Sequence, residues 1–272
     1  MSATSPEKSL LVHDASLHLP RILCLHGGGT NARIFRAQCR ALTNHTRDEY
    51  RFVFAEAPFP SNSGSDVLAV YSQWGPFRRW LRWRREHPDI MPQDAVAAIN
   101  ESLLAAIRTD DRSGATGEWI GILGFSQGAK VAASLLYQQQ TRPSERNALP
   151  RFRFGVLLAG QGPLVSLEVD PEVIRSSGMP DAGQITDASL ENEAVWWGRA
   201  KGNVLRTPTL HVHGLRDPGL ERHRLLFEEF CHAKTRRVLQ WDGDHRVPIK
   251  LKDVLQVIQQ IRELARETDV DN

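Results

Sequence analysis

The chain has few cysteines, no long apolar run and almost no net charge. Only three cysteines occur among 272 residues, and their odd number and wide spacing argue against a disulfide framework. No apolar stretch approaches the ~20 residues that span a bilayer. The formal net charge of +2 gives no global attraction to nucleic acid or to a membrane surface. Because the N-terminus also lacks a signal-peptide pattern, we expect a cytoplasmic protein in a reducing environment.

Apolar strand-like runs alternate with helical patterns along most of the chain. This alternation predicts an α/β fold, with a mostly parallel central sheet covered by helices on both faces. Neither an internal repeat nor a second core pattern is present, so we predict one domain over residues 20–265. A polar, flexible arm is expected over residues 1–19 and a polar tail over residues 266–272.

The sequence Gly-Phe-Ser-Gln-Gly at residues 124–128 follows an apolar run and precedes a helical pattern. Gly-x-Ser-x-Gly between a strand and a helix is typical of the nucleophile elbow of α/β-hydrolases. The turn is so tight that side chains at Gly124 and Gly128 would collide with neighbouring backbone. Ser126 is therefore the predicted nucleophile, and the N–H of Gln127 at the helix N-terminus is a predicted oxyanion donor.

A glycine-rich loop, His26-Gly27-Gly28-Gly29, follows the first predicted strand. Exposed N–H groups in such a loop can bind phosphate, but neither common nucleotide-binding glycine motif is present. In an α/β-hydrolase, the loop after an early strand supplies the second oxyanion N–H. We assign that donor to Gly28.

An activated serine needs a base and a third group that orients the base. In α/β-hydrolases these follow the serine in the order acid, then histidine, each on a loop after a strand. That order selects Asp217 and His245, with Asp242 as the alternative acid. Asp244 is adjacent to His245 in sequence, which makes a productive bond between the two side chains awkward.

Two other histidines, His211 and His213, are two residues apart in a predicted strand, a spacing that also occurs in metal sites. A metallo-hydrolase would carry further ligands where this chain has Leu215 and Arg216, so we predict neither a metal nor a cofactor. His223 falls on a predicted helix, where we expect it to be exposed.

Arginine and tryptophan dominate residues 74–85. Such a mixture occurs in nucleic-acid grooves, but a solvated arginine face above inward-packed tryptophans is commoner, and we predict no nucleic-acid binding. A third interpretation is a basic rim that meets an acidic partner such as an acyl carrier domain. The arginines concerned are Arg78, Arg79, Arg82, Arg84 and Arg85.

Residues 162–203 lose periodicity and are rich in turn-forming residues. A segment of this length between two core strands is usually functional. We therefore predict a lid-like insertion over the active site. Trp196, Trp197 and Trp80 are the predicted apolar contacts of a small-molecule acyl ester or thioester.

Several of these motifs together resemble the fungal serine hydrolase family of α/β-hydrolases, which is related to the human ovarian-cancer-gene-2 hydrolase. The resemblance spans roughly residues 20–262. The matching pieces are Ile22-Leu23-Cys24-Leu25-His26-Gly27, Glu56-Ala57-Pro58, the Trp-Gly-Pro-Phe-Arg-Arg-Trp region, Ile122-Leu123-Gly124-Phe125-Ser126-Gln127-Gly128-Ala129, His213-Gly214-Leu215-Arg216-Asp217 and Asp244-His245-Arg246-Val247-Pro248.

The resemblance implies hydrolysis of carboxylesters or thioesters with Ser126, Asp217 and His245 as the triad. Several fungal members act in polyketide clusters, where they release an acyl chain from its carrier. The usual Gly-Gly-His is here Gly243-Asp244-His245, which brings a carboxylate beside the base. The usual Phe/Tyr-Asp-Gly before the central strand is here 118–121, Glu-Trp-Ile-Gly. A general carboxylesterase and a non-catalytic binding module on the same fold are the alternatives.

Overall fold

The predicted apolar runs form a parallel sheet at the centre of the molecule. The computed structural model describes residues 14–142, 149–185 and 202–269. Its strands are β1 (Arg21–Leu25), β2 (Arg51–Ala55), β3 (Phe59–Pro60), β4 (Arg78–Arg79), β5 (Trp119–Phe125), β6 (Phe154–Leu158), β7 (Thr209–Gly214) and β8 (Arg236–Trp241). Six of them form one sheet in the order β2-β1-β5-β6-β7-β8, with every neighbouring pair parallel. The other two, β3 and β4, form an antiparallel ribbon.

Helices cover both faces of this sheet. They are α1 (Ala32–Gln38), α2 (Arg40–His45), α3 (Ser65–Tyr71), α4 (Pro92–Arg112), α5 (Gln127–Thr141), α6 (Pro171–Ser177), α7 (Leu220–Phe230) and α8 (Leu251–Glu267). Helices α4, α5 and α7 bury their apolar residues against one face, and α1, α2 and α8 pack against the other. The predicted fold class is confirmed. Among the described residues, no helix is long and apolar enough to cross a membrane.

Strand β1 shows why the sheet is buried on both faces. Leu23 and Leu25 belong to one apolar cluster, whereas Ile22 and Cys24 belong to the cluster on the other face. Successive side chains of a strand point to opposite faces, so a strand covered on both sides has a continuous apolar sequence. Cys24 is a buried free thiol.

The carboxyl ends of the parallel strands meet at one edge of the sheet. The glycine loop leaves β1 there, the serine turn leaves β5, and the loops carrying Asp217 and His245 leave β7 and β8. Ligand sites of open parallel sheets form at this edge because several loops converge on it. The topology thus brings together residues that are more than a hundred positions apart in sequence.

The ordered contacts of the chain begin before the predicted boundary at residue 20. The carbonyl of Leu17 accepts hydrogen bonds from the N–H groups of Thr116 (2.8 Å) and Gly117 (3.2 Å). Arg51 forms an ion pair with Asp14, 2.7 Å between Nη1 and Oδ2. Residues 14–19 are therefore attached to the domain by specific bonds.

Three of the helices have local features of their own. Helices α1 and α2 follow each other directly and meet at Cys39. Helix α3 lies in a stretch for which the sequence predicts no element, and none of its residues is buried.

Candidate active site

Ser126 occupies the sharp turn between β5 and α5. Its backbone angles are φ 52° and ψ −114°, a conformation that costs a non-glycine residue on the order of 1–3 kcal/mol. The Ser126 N–H donates to the carbonyl of Leu158 at 2.8 Å. A Cβ at Gly124 would lie 2.4 Å from the Gly128 oxygen, and one at Gly128 would lie 2.2 Å from the Leu25 oxygen. The predicted need for both glycines is confirmed.

Ser126, His245 and Asp217 form one line of hydrogen bonds. The Nε2 atom of His245 lies 3.0 Å from the Oγ of Ser126. On the other side of the ring, Nδ1 lies 2.7 Å from the Oδ2 of Asp217. Both distances are those of good hydrogen bonds. The structure therefore brings together the three residues that the order of the motifs along the chain selects.

Asp217 is held as a charged group that can orient the imidazole. Its side chain is 1% exposed, and its Oδ1 accepts a hydrogen bond of 2.7 Å from the Gly219 N–H. Burial alone would raise the pKa of Asp217, but the hydrogen bond and charge of His245, with the Gly219 N–H, hold it below its usual value. Asp217 is therefore ionised at neutral pH and can fix the tautomer of His245.

The other two carboxylates near the base are paired elsewhere. Asp242, the alternative acid, forms an ion pair of 2.7 Å with Arg216. Asp244, the residue that departs from the family pattern, lies 3.3 Å from Arg246. Since the Nδ1 of His245 is bonded to Asp217, the neighbouring Asp244 does not take its place.

The two predicted oxyanion donors lie beside the serine. Gly28 and Gln127 both line the cavity that contains Ser126. Gln127 is the first residue of α5, where backbone N–H groups have no partner within the helix. A Cβ at Gly28 would lie 2.6 Å from the indole ring of Trp83, so only glycine leaves that ring its present position.

Buried groups hold the glycine loop from beneath. His26 is completely buried; its Nε2 accepts the Ala57 N–H at 3.0 Å, and its Nδ1 lies 2.8 Å from the Gly27 carbonyl oxygen. The indole N–H of Trp80 donates to the His26 carbonyl at 2.9 Å. Trp80 is itself 0% exposed, so the predicted contact between Trp80 and the substrate is wrong. The tryptophan of this stretch that lines the cavity is Trp83.

A cavity of about 770 Å³ opens above Ser126. This volume lies within the range of roughly 300–1,000 Å³ that is usual for small-molecule sites. Its apolar lining consists of Val67, Val70, Tyr71, Trp83, Phe125, Trp241, Val247 and Ile249. Charged residues, among them Arg84 and Lys130, line other parts of it. The site thus combines the hydrogen-bonded serine with a cavity of mixed polarity.

The chain matches the family described as Serine hydrolase (FSH1) over residues 15–257, most of its length. It belongs to this family. Esterase claE of Penicillium crustosum is 62% identical over 264 residues, which cover 94% of this chain and 97% of that protein. Esterase mpl1 of Monascus purpureus is 57% identical over 270 residues, 98% of this chain and 83% of that protein. The predicted family and the predicted enzyme class, a serine hydrolase, are confirmed.

A solved structure supports the fold at lower similarity. Its title is "LipS and LipT, two metagenome-derived lipolytic enzymes increase the diversity of known lipase and esterase families", and it matches with a TM-score of 0.50 and 10% identity. The match covers 92% of this chain and 94% of the other. At this identity the likeness concerns the α/β-hydrolase fold alone.

The predicted insertion over residues 162–203 is only partly described. In its first part, Leu164, Val165 and Met179 are buried in the core. None of the described residues 162–185 lines the cavity above Ser126. Trp196 and Trp197 lie outside the described residues, so the predicted contact of these tryptophans with the substrate stays a prediction.

The arginines of the tryptophan-rich stretch have different environments. Arg79 is 3% exposed, and its guanidinium lies 4.9 Å from the ring centre of Phe59. Arg82 forms an ion pair of 2.5 Å with Asp89. Arg84 and Arg85 are exposed. Of the five arginines proposed as a basic rim, at least two therefore serve the local structure.

Two buried histidines that are in contact with each other, His213 and His223, lie close to Asp217, and the sequence pattern did not predict them there. His223 is completely buried, so its predicted exposure is wrong, and its Nε2 lies 3.7 Å from the Oδ2 of Asp217. Burial lowers the pKa of His223 and of His213 to about 4. Asp217, His223 and His245 bring three potential metal-ligand atoms within 4.8 Å of one another, but Asp217 and His245 are already bonded to each other.

Proposed function

We propose that this serine hydrolase cleaves an acyl ester or thioester through an acyl-enzyme on Ser126. The observation that carries the proposal is the line of hydrogen bonds from Ser126 through His245 to Asp217, 3.0 and 2.7 Å long. His245 Nε2 takes the hydroxyl proton as the Ser126 oxygen attacks the carbonyl carbon. Asp217 stabilises the imidazolium that results.

The tetrahedral intermediate then loses its leaving group. The C–O or C–S bond breaks, and the departing alkoxide or thiolate takes the proton from His245. A water molecule attacks the acyl-enzyme with His245 again as the base, and the carboxylic acid leaves as Ser126 regains its proton. The N–H groups of Gly28 and Gln127 are the oxyanion donors in both halves, each contributing on the order of 3 kcal/mol to the lowering of the barrier.

We further propose that the physiological substrate is a thioester, and that the enzyme releases products in fungal polyketide metabolism. The support is the resemblance to fungal serine hydrolases that act there, together with a cavity of about 770 Å³ beside Ser126. The test compares an N-acetylcysteamine thioester with the N-acetylethanolamine ester of the same acyl group, which differs only in oxygen for sulfur. A higher kcat/KM for the oxygen ester would favour the alternative, a general small-molecule carboxylesterase.

An acyl carrier domain is the proposed partner. Arg79 is buried and Arg82 is paired with Asp89, and Arg78 is partly buried, whereas Arg84 and Arg85 are exposed. We therefore propose Arg84 and Arg85 as the contacts of an acidic carrier. Arg84 lines the cavity. A basic residue near the entrance would speed the encounter with an acidic carrier at low salt.

The carrier proposal is tested by Arg85→Glu, because Arg85 is exposed and the charge reversal removes attraction to an acidic surface. We expect kcat/KM for a carrier-bound thioester to fall by roughly threefold to tenfold at low salt, and the difference to shrink at high salt. The matched control is Arg108→Glu on α4, whose side chain is 53% exposed. Equal effects of the two reversals would show that only net charge matters and would refute docking at Arg85.

A further inference from the structure

Helix α3 is an apolar helix with no buried side chain. Its sequence is Ser-Asp-Val-Leu-Ala-Val-Tyr, and none of these residues is buried. Val70 is 69% exposed and Leu68 is 40% exposed. Most short helices in proteins are stabilised by burial of an apolar face, so the apolar composition of α3 calls for a partner other than the core.

The position of the apolar residues shows where that partner lies. Val67, Val70 and Tyr71 line the cavity above Ser126. These positions are spaced i, i+3 and i+4, so they occupy one face of the helix. The ring of Tyr71 packs against that of Trp74, with 5.2 Å between the ring centres. Asp66, in the first turn of α3, also lines the cavity. Beyond this first turn, helix α3 therefore turns apolar side chains to the cavity of the reactive serine.

A second apolar wall belongs to the loop that carries the base. Val247 and Ile249 follow His245 and line the same cavity as α3. Ile249 is 56% exposed, so it stands at the cavity entrance as Val70 does. Both walls belong to the cavity in which an acyl group attached to Ser126 would lie.

We propose that the face of α3 formed by Val67, Val70 and Tyr71 is the acyl-binding wall that sets chain-length specificity. Its occupant is the apolar acyl part of the substrate. This inference rests on the proposed function, because it assigns the acyl side of the same Ser126 site. Each methylene group that the wall removes from water raises kcat/KM by up to about fourfold.

The experiment measures kcat/KM for p-nitrophenyl acetate and p-nitrophenyl octanoate in the wild type and in Val70→Asp. A carboxylate at the wall should disfavour the long apolar chain more than the short one. We expect octanoate turnover to fall by about tenfold or more and acetate turnover by less than about twofold. Ile249→Asp, on the second wall, should likewise lower octanoate turnover more than acetate turnover.

Leu68→Asp is the matched control, since Leu68 is on the same helix and exposed. It should leave the ratio of the two substrates at the wild-type value. An unchanged ratio in Val70→Asp, an equal loss on both esters, or the same selective loss in Leu68→Asp would each overturn the assignment of α3. Loss of acetate turnover in Ser126→Ala tests the proposed function separately. If Ser126→Ala kept its activity, the proposed function itself would fail.

Discussion

Gln127 and Leu81 exchange two hydrogen bonds of 3.1 Å each, from the Leu81 N–H to the Gln127 side-chain oxygen and from the Gln127 amide to the Leu81 carbonyl. The same oxygen accepts the Trp80 N–H at 2.7 Å. The side chain of the residue after the nucleophile is thus bonded to the segment that leads to Trp83. Because Trp83 packs against Gly28, this bonding connects both predicted oxyanion donors.

Gln127→Ala should lower both stability and turnover. The variant keeps the backbone N–H but leaves the buried N–H groups of Trp80 and Leu81 without their acceptor, at a cost of about 1–3 kcal/mol in the free energy of unfolding. We expect kcat to fall by roughly tenfold as the oxyanion donors lose their alignment. Gln127→Glu keeps an acceptor and should lie between alanine and wild type. Urea unfolding and steady-state kinetics give both values, and an alanine variant equal to wild type in both would contradict the argument.

Gly28→Ala should reduce activity through a steric clash. The added methyl group would lie 2.6 Å from the ring of Trp83, so either the ring or the glycine loop must move. We expect kcat to fall by about a hundredfold, as for the loss of an oxyanion donor.

The clash predicts a rescue. Trp83→Leu makes room for the methyl group, so the double variant should lose less kcat, relative to Trp83→Leu alone, than Gly28→Ala loses relative to wild type. Additive losses in kcat would mean that the contact between residues 28 and 83 is not the cause.

Comparison of Asp217→Asn with Asp242→Asn tests which aspartate orients His245. Asp217 bonds to His245 at 2.7 Å, whereas Asp242 pairs with Arg216. We expect Asp217→Asn to lower kcat by up to ~10⁴-fold, because the asparagine favours the wrong tautomer of the base. Asp242→Asn should stay within about twofold of wild type, since exposed ion pairs contribute little. A larger loss of kcat in Asp242→Asn than in Asp217→Asn would show that Asp242 is the acid.

The buried His213 makes stability depend on pH. Burial lowers its pKa from 6.5 to about 4. Between these two pH values, His213 is therefore protonated in the unfolded chain but neutral in the folded protein. The free energy of unfolding therefore decreases as the pH falls below 6.5, and this decrease ends near pH 4, where the folded protein also binds the proton. Between about pH 7 and pH 5 this one group removes roughly 2 kcal/mol from the free energy of unfolding.

His213→Leu removes this titration, so its free energy of unfolding should fall by roughly 2 kcal/mol less than that of wild type over the same range. Both ring nitrogens of His213 lack a hydrogen-bond partner among the described residues. Replacement by leucine therefore removes no hydrogen bond within the described part of the chain. Urea unfolding at the two pH values measures the difference, and parallel curves for wild type and His213→Leu would exclude His213 as the cause.

The fold and the triad could be predicted because both follow from local rules. Buried parallel strands have continuous apolar sequences, as in β1. The serine turn needs glycines at fixed offsets, and the order of acid and histidine reduces ten histidines to one candidate. The role of such residues can be predicted from a short stretch of sequence.

The walls of the cavity could not be predicted, because they depend on contacts between distant segments. Trp80 and Trp83 are three residues apart, yet Trp80 supports the glycine loop from the core and Trp83 lines the cavity. Likewise, His223 is on a helix with mixed polarity, and only tertiary packing decides that its ring faces Asp217. Amino-acid composition does not show which of two such side chains is buried in the core and which one lines the cavity.

The most direct test of the central claim is intact-protein mass spectrometry after reaction with a fluorophosphonate, followed by peptide mapping. An activated serine is labelled, whereas an ordinary serine is not. The account predicts one adduct per chain, mapped to Ser126, no adduct in Ser126→Ala, and a labelling rate in Asp217→Asn far below that in Asp242→Asn. Labelling at another residue, or full labelling of Ser126→Ala, would contradict the assignment of Ser126 as the nucleophile.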